Sequence, residues 1–112
     1  MKEIKAIIRP NKLAALRDAL VAMPGFPGMT VSKVEGCSAP SRHAQARSRI
    51  KDELTDYSPK VRVEILVPDE LADQIFRRIT EVAQTGHYGD GLVWVCDVER
   101  AAFIFKTMPE PG

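Results

Sequence analysis

Twice in this chain an apolar period of two gives way, across a proline, to a period of three to four, and that switch limits the folds available. Ile4, Ala6 and Ile8 alternate with Lys5 and Arg9, with Ile7 apolar on the second face. After Pro10-Asn11, residues Leu13, Leu16, Leu20 and Met23 recur at helical spacing. Val61, Val63, Ile65 and Val67 alternate with Arg62 and Glu64, and beyond Pro68-Asp69 a stripe of Leu71, Ile75, Ile79 and Val82 follows. Each switch predicts a strand followed by a helix, with Asn11 and Asp69 as the capping residues. Pro24-Gly25-Phe26-Pro27-Gly28 breaks the first helix, and a second strand is expected over Met29 to Gly36. Thr85-Gly86-His87-Tyr88-Gly89-Asp90-Gly91 is a glycine-rich turn before a fourth strand, Leu92 through Val98, and Ala101 to Phe105 adds a short fifth. The order strand, helix, strand, strand, helix, strand is the α+β ferredoxin-like βαββαβ arrangement, an antiparallel sheet with both helices on one face.

The uncovered face should then meet water. Yet Leu92, Val93, Trp94, Val95 and Cys96 are apolar at both parities, and Ile7 and Leu66 add to the second side. Such a face calls for a partner, and self-association is the simplest one. A single domain over residues 1–112 buries a modest share of its surface, so association would also stabilise it. Cys96, inside this apolar run, is expected in the core, whereas Cys37 opens a polar segment. Two cysteines, no apolar run near the roughly 18 residues of a membrane span, and a strand that begins at Lys2 together predict a cytoplasmic protein with no membrane insertion.

Several function classes fall away. Sixteen Lys and Arg against fifteen Asp and Glu leave no electrostatic footprint for nucleic acid. An RNA module of the same strand order stacks bases on its central strands, but Ile4 to Ile8 and Val61 to Val67 hold no aromatic residue. Cys37, His43, His87 and Cys96 lack the close spacing of metal ligands, so no metal site is assigned. No nucleophile–base pair or carboxylate pair is legible, so the chain does not read as an enzyme. Residues 37–59 form a long polar connection between strands two and three, and connections above roughly 12–15 residues usually carry function or are disordered.

Ordered stretches resemble the PII family of signal-transduction proteins: Met1 through Pro10, Gly28-Met29-Thr30-Val31, Pro59-Lys60-Val61 running into Val67-Pro68-Asp69, and above all Ala83-Gln84-Thr85-Gly86-His87-Tyr88-Gly89-Asp90-Gly91 followed by Val95-Cys96-Asp97-Val98. The resemblance implies a homotrimer with adenine-nucleotide sites in clefts between subunits, and no catalysis. It places Thr30, Gly36, Gly86, His87, Tyr88, Gly89, Asp90 and Gly91 with the nucleotide, the glycine loop wrapping the phosphates through backbone N–H groups. It puts Lys60 with a small effector, and residues 37–59, with Arg42, Arg47 and Arg49, against a protein partner such as a transporter.

This chain departs from the family pattern where charge matters. Leu92 stands where a lysine normally follows Gly-Asp-Gly, and Phe103 and Phe105 replace two phosphate-binding arginines. Arg100, Lys106 and His87 are candidate replacements, although Arg100 reads equally as a solvated charge and His87 as a plain loop residue. The family's glutamine for magnesium and 2-oxoglutarate has no clear match, and the loop tip reads Arg47-Ser48-Arg49 without a tyrosine. These substitutions imply ADP or AMP binding favoured over ATP, with bicarbonate as an alternative effector. Classical nitrogen-status sensing by ATP and 2-oxoglutarate, or a metal-related role, stands beside that reading.

Overall fold

The computed structural model describes residues 1–37 and 57–106. Within them β1 (Lys2–Ile8) leads through a short 3-10 turn, Pro10–Lys12, into α1 (Leu13–Val21). Then come β2 (Thr30–Gly36), β3 (Ser58–Val67), α2 (Asp69–Ala83) and β4 (Gly91–Asp97), and a second 3-10 turn spans Ile104–Lys106. The predicted βαββαβ order is therefore the observed one. The strands lie in the order β2-β3-β1-β4, every neighbouring pair antiparallel.

Period two explains the core. Ile4, Ala6 and Ile8 of β1 and Val61, Val63, Ile65 and Val67 of β3 are all buried on the face that carries the helices. From the helices come Leu16, Leu20, Ala72, Ile75, Ile79 and Ala83, spaced so that one stripe of each meets the sheet. Burying each large apolar side chain is worth about 1.5–3 kcal/mol, so these two central strands and α2 supply most of the cohesion. The buried stripe of α2 runs through Ala72, Ile75, Ile79 and Ala83, and the predicted Leu71 and Val82 flank it, partly buried.

Five details differ from expectation. Asn11 lies inside the 3-10 turn, because Pro10 supplies the fixed φ that starts that turn and α1 begins only at Leu13. Asp69 is the first residue of α2 and not its cap; its carboxylate meets the Met1 ammonium at 2.8 Å, which lowers its pKa. That acidic first turn, Asp69 and Glu70, complements the positive end of the helix. Ala101 to Phe105 forms no strand, and its end coils into the 3-10 turn, with Phe103 and Phe105 rings 6.4 Å apart. Ser58 and Pro59, assigned to the connection, already pair with Gly36 and Glu35. Cys96 is exposed and not in the core, because its parity puts it on the face opposite the helices.

That opposite face is mixed. Ladder register sets Glu64, Lys5 and Trp94 side by side, and beside them Arg62, Ile7 and Leu92. Arg62 and Glu64 approach to 3.4 Å and Lys5 and Glu3 to 3.6 Å. Apolar residues are thus interleaved with ion pairs. Among the described residues no helix is long and apolar enough to cross a membrane, and no group of three or more His, Cys, Asp or Glu is placed to hold a metal ion.

Candidate functional site: the glycine loop and its two cations

The loop between α2 and β4 owes its shape to one carboxylate. Asp90 accepts hydrogen bonds from the N–H of Thr85 at 2.6 Å and of Gly86 at 2.9 Å, and from the Thr85 hydroxyl. It also accepts one from Arg9 Nε at 3.1 Å. The Thr85 hydroxyl and N–H, then Arg9 and the Gly86 N–H, hold the Asp90 carboxyl well below its ordinary pKa, against a smaller opposing effect of desolvation. The loop can curl back on this carboxylate because Gly86, Gly89 and Gly91 all take positive φ. At Gly91 the need is absolute: a Cβ there would lie 1.7 Å from the backbone oxygen of Ile7.

Two cations sit under the loop. Arg9 donates from Nη2 to the Tyr88 carbonyl at 3.0 Å, and the Lys60 ammonium donates to the Gly89 carbonyl. Register explains the meeting. Ile8 pairs with Val61 on one side and Gly91 on the other, so one step further Arg9 stands between Lys60 and Asp90. Lys60 projects on the face away from the helices, and Arg9 and Asp90 meet beside it at the same end of the sheet. Lys60 is only 8% exposed, and among the described residues no carboxylate pairs with it. Gly36 lets the lysine stem pass, since a Cβ there would come within 3.1 Å of Lys60 Cγ. A cleft of about 620 Å³ lined by Pro10, Lys33, Val34, Glu35, Pro59, Lys60 and Val61 opens beside it.

Part of the loop's donor capacity is used internally. The Gly86 N–H is spent on Asp90 and the Asp90 N–H on the His87 carbonyl at 3.3 Å. Among the described residues no hydrogen bond engages the N–H groups of His87, Tyr88 and Gly89. Three consecutive donors therefore remain for an outside acceptor, next to two cations and one anion. A nest of N–H groups with a net positive charge is chemically able to accept an anion.

The structure brings together Gly36, Lys60 and residues Gly86 to Gly91. It leaves the His87 and Tyr88 side chains exposed. Thr30 is elsewhere: it begins β2, six residues and about 20 Å from Gly36 at 3.3 Å per residue. Arg100 is exposed and follows the end of β4 that is remote from the loop. The side chain of Lys106 and the residues Arg42, Arg47 and Arg49 lie outside what is described. The residue that sequence reasoning overlooked is Arg9. Its signal was available, because a charged residue that ends a central strand just before a proline lies level with the loops entering both neighbouring strands.

Residues 1–107 match the family described as "Nitrogen regulatory protein P-II". The chain is 44% identical over 104 residues to a "Nitrogen regulatory protein P-II" of Haemophilus influenzae, covering 93% of this chain and 91% of the relative. It is 45% identical to that of Pasteurella multocida and 43% identical to "Nitrogen regulatory protein P-II 1" of Escherichia coli K12, with the same coverage. With its fold, its glycine loop and these relatives in agreement, the chain belongs to the P-II nitrogen regulatory proteins, a family of regulators and not of enzymes.

Proposed function

We propose that this protein is a cytoplasmic nitrogen-status regulator that binds an adenine nucleotide at the glycine loop and a small carboxylate effector at Lys60. It passes the combined signal to a protein partner such as a transporter. The observation that carries this reading is the set of unengaged N–H groups of His87, Tyr88 and Gly89 beside the buried ammonium of Lys60. The relatives are named for nitrogen regulation, which favours 2-oxoglutarate as the effector over bicarbonate.

The site is shared between copies. Thr30 begins one edge strand, level with Glu64, Lys5 and Trp94, while the loop leads into the opposite edge strand, so both can touch one nucleotide if they come from different subunits. A homotrimer packed on the mixed sheet face meets that requirement. Arg100 could then reach a neighbour's loop, which it does not approach in its own chain.

Leu92 is 60% exposed at the start of β4 and offers no charge to the outer phosphates. Charged hydrogen bonds contribute about 1.5–3 kcal/mol each. ADP should therefore bind at least as tightly as ATP, and Leu92→Lys should strengthen ATP by about tenfold relative to ADP. Calorimetry with ATP, ADP and AMP, each with and without magnesium, 2-oxoglutarate or bicarbonate, tests the reading. Binding of an adenine nucleotide that is strengthened by 2-oxoglutarate is expected. Absence of binding by all three nucleotides would overturn it.

A further inference from the structure

Resting on that nucleotide reading, the geometry points to Arg9 as the positioning residue of the loop, a role beyond any contact with ligand. We infer that Arg9 sets the orientation of the three unengaged N–H groups by tying the crest of the loop to the carboxylate that closes its base. Its Nε holds Asp90, which in turn gathers Thr85 and Gly86 at the start of the loop. Its Nη2 holds the Tyr88 carbonyl at the crest. One planar group therefore fixes the crest of the turn relative to its closed base.

Three observations separate this clamp from ordinary surface pairing. The contact partners are 79 and 81 residues away in sequence, so nothing local enforces them. Gly89 makes room for the guanidinium: a Cβ there would come within 3.2 Å of Nη2, 3.7 Å of Cζ and 3.8 Å of Nη1. Both acceptors, a carboxylate and a carbonyl, point to the same edge of the side chain, which a lysine ammonium cannot span in one geometry. Lys60 touches the loop too, but through the Gly89 carbonyl alone. Holding the Tyr88 carbonyl inward turns the Gly89 N–H outward, because the two belong to one planar trans peptide and point in opposite directions within it.

The clamp makes a prediction that a mere charge would not. In the ligand-free protein, Arg9→Gln should raise amide hydrogen exchange at Thr85, Gly86 and Asp90, whose N–H groups are bonded within the loop, while leaving β1 and β3 protected. It should weaken ADP binding by roughly tenfold. Arg9→Lys keeps the charge yet should restore little of either property. Asp90→Asn should resemble Arg9→Gln, and the double variant should be hardly worse than either single one, since all act through one unit. Should Arg9→Gln leave exchange at Thr85, Gly86 and Asp90 unchanged without ligand, or should Arg9→Lys bind ADP like the unaltered protein, the clamp is refuted. If the unaltered protein binds no adenine nucleotide, the functional reading fails, while the exchange experiment still decides the clamp.

Discussion

The two faces of the sheet are made by the same strands and follow different rules. On the helix side, Ile4 to Ile8 of β1 and Val61 to Val67 of β3 present an unbroken set of isoleucine, valine and alanine, every one of them buried. On the other side the same two strands present Glu3, Lys5, Ile7, Arg62, Glu64 and Leu66, none fully buried. Dry packing on the first face stabilises the subunit and is indifferent to what lies outside it. Interleaved charge and apolar surface on the second face contributes little to one chain by itself, but it can distinguish a correct neighbour from a wrong one. Stability and recognition are thus separated by the parity of residues along a strand.

That contrast can be broken at several strengths. Ile65→Ala should cost about 2–5 kcal/mol of unfolding free energy. Its neighbour Leu66→Ala, facing the other way, should cost the dilute subunit about 1 kcal/mol or less. Urea titration of both variants measures the difference, and equal losses would show that the second face is as dry as the first. Trp94→Asp comes next. It places a charge where the proposed subunits meet, so sedimentation should move from trimer to monomer mass at micromolar concentration while far-ultraviolet circular dichroism persists. A trimeric Trp94→Asp protein would mean that the subunits meet elsewhere.

The smallest effect concerns acid. The folded pKa of Asp90 lies below its ordinary 3.8. Its contribution is therefore complete above the unfolded value and is lost as pH falls through the lowered one. Loop protection should hold unchanged from neutral pH to about pH 4 and weaken only in stronger acid. Nuclear magnetic resonance of the Thr85 and Gly86 amides would follow this directly. Loss of protection near neutral pH would assign the loop's order to some group other than Asp90.

Much of this architecture was legible because each helix and each central strand has one dominant face. Val61 to Val67 could be read without help, since a strand buried on one side must alternate. Strand β2 was harder because it is an edge: Val31 stays 39% exposed and its register comes from pairing with β3, not from its own pattern. Cys96 was misread because an apolar run in a strand buries only alternate members when one face is uncovered. In the loop, the glycines announced a turn and the family motif announced a ligand. Neither showed that Asp90 would consume the Gly86 donor, or that Arg9 would be the cation at hand. Those facts depend on which strands become neighbours, and β1 meets β4 across more than eighty residues of chain.

The close approach of Gly91 to Ile7 governs how substitution data on this loop are to be interpreted. A methyl group at position 91 would collide with the backbone of β1 and pry the edge strand from the sheet, so a lost ligand response there says nothing about ligand contact. Gly89 gives a compromised answer, because any side chain would displace Arg9. Gly86 has no atom within 4 Å of the place a side chain would occupy, and only its backbone angle objects to one. An alanine scan would rank all three alike, yet position 91 reports on the sheet, position 89 on the clamp, and position 86 on the curl of the loop itself.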